Sequence, residues 1–349
     1  MAYSNPAECL EGEDLGNGWR VLRRITPHPA STGGHFSFGY EVQHQGTRKI
    51  AFLKALDFMD AFSAPDFPRR LQELTSAYNF ERDLLAKCNK HHMKRILTPL
   101  ADGIHRVSSC LGPLKDVAYL IFDLAEGDIR KHISLLVRFD LAWCLRSMHH
   151  AATGVMELQS KGIVHQDLKP SNVLTFGMLG SKLSDLGRAF DPESGAQHDS
   201  FEIPGDRTYA PPELFYGVIG GSYDRRAIDV YALGSLLFFH FCGISATQGL
   251  LNKVKGTKVP LEGDFARDLP LLQSAFEELL TEMKPRVQGV AGSLSGAIVT
   301  TARELCNPDP NRRGDPTANA YGRRVSPYSA ERYVSRLNLL ASKAEMGLI

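Results

Sequence analysis

The chain has 349 residues, 43% of them hydrophobic, which suits one large domain or two smaller ones and excludes a mostly disordered chain. Forty basic side chains against thirty-nine acidic ones leave a formal charge of +1, so no global field draws the chain to nucleic acid or a membrane surface, and neither is expected as a partner. Six scattered cysteines (Cys9, Cys88, Cys110, Cys144, Cys242, Cys306) form no C-x-x-C pair, which argues against a zinc site and for reduced thiols in a cytoplasmic protein.

Residues 1–18 are polar and acidic at their start, carry no apolar signal-peptide core, and are expected to form a loose N-terminal extension. From 19 to 124 the pattern is strand-rich. Residues 48–56 (R-K-I-A-F-L-K-A-L) and 117–123 (V-A-Y-L-I-F-D) are apolar runs of strand length. Between them, residues 71–87 predict a helix, with Leu74, Tyr78, Glu81, Leu84 and Leu85 at three- and four-residue spacing. Helices follow at 140–161, 224–241, 274–283, 293–305 and 328–344, the last amphipathic with Tyr333, Leu337 and Leu340 on its apolar side. The most apolar stretch, 230–244, is shorter than the roughly 20 residues of a membrane span and reads as a buried core helix. The expected organisation is therefore an extension (1–18), a small strand-rich lobe (19–124) and a larger helical lobe (125–349), as in a two-lobed enzyme with its cleft between them.

The chemistry concentrates in two short segments. Residues 164–174 read V-H-Q-D-L-K-P-S-N-V-L, and residues 184–187 read S-D-L-G. Moving a γ-phosphoryl group needs a carboxylate to orient and deprotonate the attacking hydroxyl, oxygen ligands for Mg²⁺, and cations on the phosphates. Asp167 fits the first role, Asn172 and Asp185 the second, Lys169 and Lys54 the third. Each of these alone is more often a polar turn or a solvated charge; the spacing of the set gives it weight.

This set resembles the eukaryotic-type protein kinase family, over about residues 19–316. The resemblance implies an α+β bilobal fold: a small antiparallel-sheet N-lobe with one main helix, then a larger helical C-lobe. It also implies ATP with Mg²⁺ (or Mn²⁺) and a protein substrate. Lys169 two residues after Asp167 is typical of the serine/threonine class. Lys54, in A-F-L-K where the family has V-A-I-K, would contact the α- and β-phosphates and pair with a helix glutamate. Glu81 is the choice, with Glu73 as its rival. Residues 31–42 (S-T-G-G-H-F-S-F-G-Y-E-V) stand where the family has its glycine-rich loop, with Gly33 and Gly34 near the phosphates and Phe36 at the tip. Gly39 then falls where the family has a valine above the adenine, and Phe52 where it has an alanine. A volume exchange is expected, Phe52 filling the space vacated at Gly39.

In the segment L-I-F-D-L-A-E-G-D-I-R the resemblance places Phe122 behind the pocket, the backbones of Asp123 and Ala125 on the adenine edge, and Asp128 near the ribose. Leu174 would lie below the base. Residues 205–213 (G-D-R-T-Y-A-P-P-E) resemble the end of an activation segment, and D-V-Y-A-L-G (229–234) the helix that anchors the catalytic loop. Arg313 is expected as the buried partner of Glu213. The catalytic loop reads H-Q-D where the family usually has H-R-D. The missing arginine is the one that meets an activation-loop phosphate, so activity is expected not to depend on phosphorylation there, although Ser194, Ser200 and Thr208 could accept phosphate. The expected function is an active serine/threonine protein kinase, resembling a stand-alone bacterial or viral member. The alternatives are a pseudokinase scaffold that binds nucleotide without turnover and, against Lys169 and P-P-E, a small-molecule kinase. Oligomeric state is left open.

Overall fold

Alternation of side chains decides the first half of the chain. In β3 (Ile50–Leu56) Ala51, Leu53 and Ala55 are buried, while Phe52 and Lys54 share the opposite face. The computed structural model, which describes residues 4–26, 37–110, 114–135, 138–196, 203–219, 223–255, 263–318 and 326–349, builds this strand into a five-stranded sheet. With β1 (Trp19–Ile25), β2 (Ser37–His44), β4 (Ala101–Arg106) and β5 (Asp116–Asp123), the order is β1-β2-β3-β5-β4, and every neighbouring pair is antiparallel.

The described residues divide into two compact units. The first holds the chain up to His92 together with Ile96–Glu126 and Ser184–Gly187; the second holds Met93–Arg95, Gly127–Leu183 and Arg188–Ile349. Apart from Met93–Arg95, the second unit begins at Gly127, two residues past the expected start at 125, and the S-D-L-G segment returns to the first unit.

In the first unit, α1 (Phe67–Lys90) is longer at its start than periodicity indicated. Asp66 caps it by accepting a hydrogen bond from the Arg69 N–H (3.1 Å), and a proline stands in its first turn. Its buried face holds Leu74, Tyr78, Glu81, Leu84 and Leu85, the residues its spacing selected. The loose N-terminal extension is corrected. Ala7, Leu10 and Leu15 are buried in the same cluster as Trp19, Val21, Tyr40 and Leu53, and the Tyr40 hydroxyl donates to the Ala7 carbonyl at 2.7 Å. The acidic composition of the segment hid three apolar side chains, which is enough to bury it.

The second unit is helical. After a short α2 (Ile129–Leu135), α3 (Leu141–Gln159) starts at an Asp140 cap; α4 (Arg226–Cys242), α5 (Ala246–Lys255), α6 (Phe265–Ala291), α7 (Ser295–Leu305) and α8 (Glu331–Glu345) follow. Three short strands, β6 (Gly127–Asp128), β7 (Val173–Thr175) and β8 (Ser181–Leu183), pair in that order. The helix expected at 274–283 is part of α6, which runs 27 residues through Pro270 and Pro285. Its buried face (Leu272, Phe276, Leu279, Leu280, Met283, Val287) outweighs the two N–H donors lost at the prolines. Gly234 of α4 has no room for a Cβ against Leu305 and Cys306, so α4 and α7 meet closely there. No single described helix is long and apolar enough to cross a membrane, and α4 is buried along most of its length.

Candidate active site

The first unit carries three of the expected polar residues. Pairing places Lys54 on the β3 face opposite the core, and α1 brings Glu81 to it. The Lys54 ammonium lies 2.9 Å from both Glu81 carboxylate oxygens and 3.5 Å from Asp185 Oδ1. Glu73, the rival, is paired with Arg69 and Arg70 instead. Burial alone would push the Lys54 ammonium down, but Glu81 and Asp185 outweigh it and hold the group above its ordinary value, so it stays charged. Asp185 adopts φ of 62°, a left-handed conformation that aspartate tolerates better than most residues. Its carboxylate is about half exposed (45%) and is the hard oxygen donor that a magnesium ion takes.

Phe52 lies beside Gly39 as the volume argument required. Gly39 pairs with Lys54 and Glu41 with Phe52, so Phe52 is a diagonal neighbour of Gly39 on one face. A Cβ built on Gly39 would stand 2.8 Å from Phe52 Cε2 and 3.2 Å from Cζ. The ring occupies the space a valine would fill. Phe122 is buried opposite Phe52 in the β3–β5 register. The Asp123 carboxylate is paired with Lys49 at 2.6 Å, and Ala125 lies just beyond β5. Gly33, Gly34 and Phe36 lie outside the described residues, as does Ser200.

The second unit carries the catalytic-loop constellation. Asp229 in the first turn of α4 accepts hydrogen bonds from the backbone N–H groups of His165 (2.8 Å) and Gln166 (2.9 Å), which fixes the loop from beneath. Its buried carboxyl is held above the ordinary carboxylate range by burial, partly offset by His165 and those two N–H groups. Asp167 is buried, and its carboxylate is gripped from three sides. Lys169 Nζ is 3.0 Å from Oδ2, Asn172 Nδ2 is 3.3 Å from Oδ2, and the Asp206 backbone N–H donates to Oδ1 at 2.7 Å. Asn172 Nδ2 also donates to the Asp167 carbonyl at 2.8 Å. With its amide nitrogen so engaged, Asn172 has its oxygen Oδ1 as the atom suited to a magnesium ion. Asp128, expected near a ribose, spends its carboxylate locally: it caps the start of α2 through the Arg130 and Lys131 N–H groups and pairs with the Arg130 guanidinium at 2.7 Å. Leu174 stands opposite Asp128 in the β6–β7 register.

The H-Q-D departure has a structural counterpart. Gln166, at φ of 62°, donates from Nε2 to the Arg188 carbonyl (2.9 Å) and accepts at Oε1 from Arg225 Nη1 (2.9 Å). The Arg225 guanidinium also lies over the Phe190 ring, 4.8 Å from its centre. A neutral amide thus joins the segment after D-L-G to the start of α4. The Ser194 hydroxyl donates to Asp191 and the Thr208 hydroxyl to Asp206, both at 2.7 Å. Glu213 and Arg313 form a fully buried pair at 2.6 and 2.8 Å, with the Tyr223 hydroxyl on the same carboxylate. Sequence reasoning did not single out Asp206 or Arg225. Their roles come from what the folded segment places beside Asp167 and Gln166, and no spacing signals that.

Comparison with known proteins decides the family. Residues 33–318 match the model of the protein kinase domain. The chain belongs to the protein kinase family. Curated relatives include an Aurora kinase of Debaryomyces hansenii (27% identical, covering 68% of this chain and 55% of that protein) and an SNF-related serine/threonine-protein kinase of Rattus norvegicus (30%, 74% and 33%). A serine/threonine-protein kinase/endoribonuclease IRE1 of Oryza sativa subsp. japonica is 30% identical over 51% of this chain and 17% of its own length. The chain thus spans between 17% and 55% of the length of these relatives. The antiparallel five-stranded sheet with α1, followed by a helical second unit, is the protein kinase fold. Membership of this family implies ATP and Mg²⁺ in general terms.

Proposed function

We propose that the protein is an active serine/threonine protein kinase that transfers the γ-phosphoryl group of MgATP to a protein hydroxyl. The observation that carries this reading is the formed Lys54–Glu81 pair, with both carboxylate oxygens at 2.9 Å and Asp185 alongside. It holds a charged lysine ready for the α- and β-phosphates. Asp167 takes the proton of the acceptor hydroxyl as the new O–P bond forms, the bond from the γ-phosphorus to the β–γ bridging oxygen breaks, and ADP leaves. Lys169 steadies the transferring phosphoryl group. Asp185 of the first unit and Asn172 of the second are each assigned as an oxygen donor that would hold magnesium, which would supply positive charge to offset that of the phosphates. Phe52, Phe122, Leu174 and the backbones of Asp123 and Ala125 are assigned to the base, and Gly33, Gly34 and Phe36 to the phosphate-covering loop. Gln166 supports the further proposal that activity does not require a phosphorylated activation segment, because its amide makes a tie there without a phosphate. A cytoplasmic location belongs to the same proposal and rests on the scattered spacing of the six cysteines, with no C-x-x-C pair among them.

The test is phosphate transfer from γ-labelled ATP with Mg²⁺, to itself and to a generic basic protein, comparing the native chain with Asp167→Ala. Label on serine or threonine that falls at least about a hundredfold in the variant supports the reading. No label from the native chain, with ATP still raising its melting temperature, means a pseudokinase.

A further inference from the structure

The segment G-D-R-T-Y (205–209) is seated on the catalytic loop by features that no motif predicts. Gly205 is pressed against it: a Cβ there would stand 3.0 Å from Asp167 Cα and 3.1 Å from Asp167 Oδ1, and would collide with the Gln166 carbonyl. The next residue, Asp206, gives its backbone N–H to Asp167 Oδ1 at 2.7 Å. Its side chain is held in one orientation, because Oδ1 accepts from both the Thr208 N–H (2.9 Å) and the Thr208 hydroxyl (2.7 Å). The other oxygen, Oδ2, lies 3.6 Å from Lys169 Nζ. Thr208 and Ala210 are fixed in turn, their carbonyls accepting from the hydroxyls of Ser245 and Thr247.

Lys169 is therefore shared between two carboxylates, Asp167 at 3.0 Å and Asp206 at 3.6 Å. The three side chains sum to one net negative charge. The guanidinium groups of Arg207, over the Phe215 ring at 5.1 Å from its centre, of Arg225, bonded to Gln166, and of Arg188, bonded to the Pro204 carbonyl, keep their positive charge, so what Asp206 contributes is one negative unit added to the field they set. An acceptor hydroxyl must come within hydrogen-bond reach of Asp167, about 3 Å, for its proton to be taken. Side chains flanking that hydroxyl then pass within roughly one Debye length, about 8 Å, of the set and feel its charge.

We propose that Asp206 is a specificity-determining residue: its carboxylate beside Lys169 and Asp167 selects acceptor peptides whose serine or threonine is flanked by lysine or arginine and disfavours acidic ones. This rests on the kinase reading above and names the substrate class of the same site. One unit charge at this range is worth about five- to tenfold in kcat/KM between a basic and an acidic peptide.

The experiment measures kcat/KM for two synthetic peptides, one with serine between arginines and one with serine between glutamates, using the native chain, Asp206→Asn and Asp206→Glu. Asn keeps an oxygen for the two Thr208 donors and removes the charge; Glu keeps the charge. The expected result is a basic-to-acidic ratio that narrows about fivefold in Asp206→Asn, persists in Asp206→Glu, and shrinks for the native chain in 0.5 M salt. A ratio unchanged in an active Asp206→Asn overturns the proposal. Should that variant transfer nothing, the ratio is read as calorimetric binding of the two peptides, and an unchanged binding ratio overturns it equally. No transfer to either peptide by a native chain that still labels itself overturns this proposal alone, whereas no label on any acceptor sinks the kinase reading on which it rests.

Discussion

Single side chains settle the least regular part of the site. The sequence departs from its family at two positions that would otherwise shape the nucleotide pocket, Gly39 and Phe52, and the fold makes them neighbours. Phe52 Cε2 sits 2.8 Å from where a Gly39 side chain would begin, so the two departures are one exchange of volume. Gly39→Val alone is expected to overpack the strand pair and cost about 1–3 kcal/mol. Adding Phe52→Ala makes room for the valine, so the double variant should recover most of that loss. Thermal melts of the two single variants and the double check the coupling, and additive effects would refute it. The choice of Glu81 over Glu73 was a matter of register on one helix. Helical spacing offered both, and only the sheet, by fixing where Lys54 projects, could decide between them.

At the scale of elements, buried polar groups tie segments that are distant in sequence. Arg313 follows the short turn after α7 and reaches Glu213 of the P-P-E motif with neither side chain exposed. It also donates to the carbonyls of Asn307 and Ala227, and its guanidinium lies over the Tyr231 ring. Removing one partner leaves the other as a buried charge without its counterion, a loss of about 3–5 kcal/mol. Arg313→Met should therefore lower the melting temperature by about 10 °C. Arg313→Met with Glu213→Leu should recover part of it, because no charge is then stranded. Asp229 does the same work for the catalytic loop from α4, trading one buried carboxylate for two ordered backbone N–H groups. These ties were legible in the sequence only through resemblance. Periodicity finds apolar faces, and a buried carboxylate or arginine looks to it like an error in the pattern.

The whole molecule shows what acid does to it. His150 accepts a hydrogen bond at Nδ1 from the Ser181 N–H, and His240 is buried with neither ring nitrogen bonded among the described residues. Burial pushes both down to about 3 from an ordinary 6.5, with Arg95 adding to the effect at His150 and His132 at His240. Each is neutral in the fold. Below pH 6.5 the unfolded chain takes up protons that the fold does not, so stability present above pH 6.5 is lost as pH falls toward 3. Each histidine should cost about 1–3 kcal/mol by pH 4. Denaturant melts between pH 7 and 4 measure the slope, and His240→Leu should flatten it; a slope unchanged in that variant counts against the assignment. At the far end of the chain, α8 is fastened to α3 by Arg146, which bonds Glu345 at 2.7 and 2.8 Å and Asn338 at 2.7 Å, and by Gln159, which bonds both the Tyr328 carbonyl and the Ala330 N–H.

The sequence by itself determined the elements and the reactive set. Apolar runs of strand length marked β3 and β5, three- and four-residue spacing marked α1, α3 and α8, and fixed short spacings placed Asp167, Lys169, Asn172 and Asp185, because each of these signals is local to a short stretch of chain. Only the tertiary structure decided which distant residues meet. It buried the N-terminal residues against the sheet, chose Glu81, put Phe52 into the space beside Gly39, and set Asp206 on Lys169. Those outcomes depend on packing and charge between segments far apart in sequence, and a spacing rule carries no information about contacts that only folding creates.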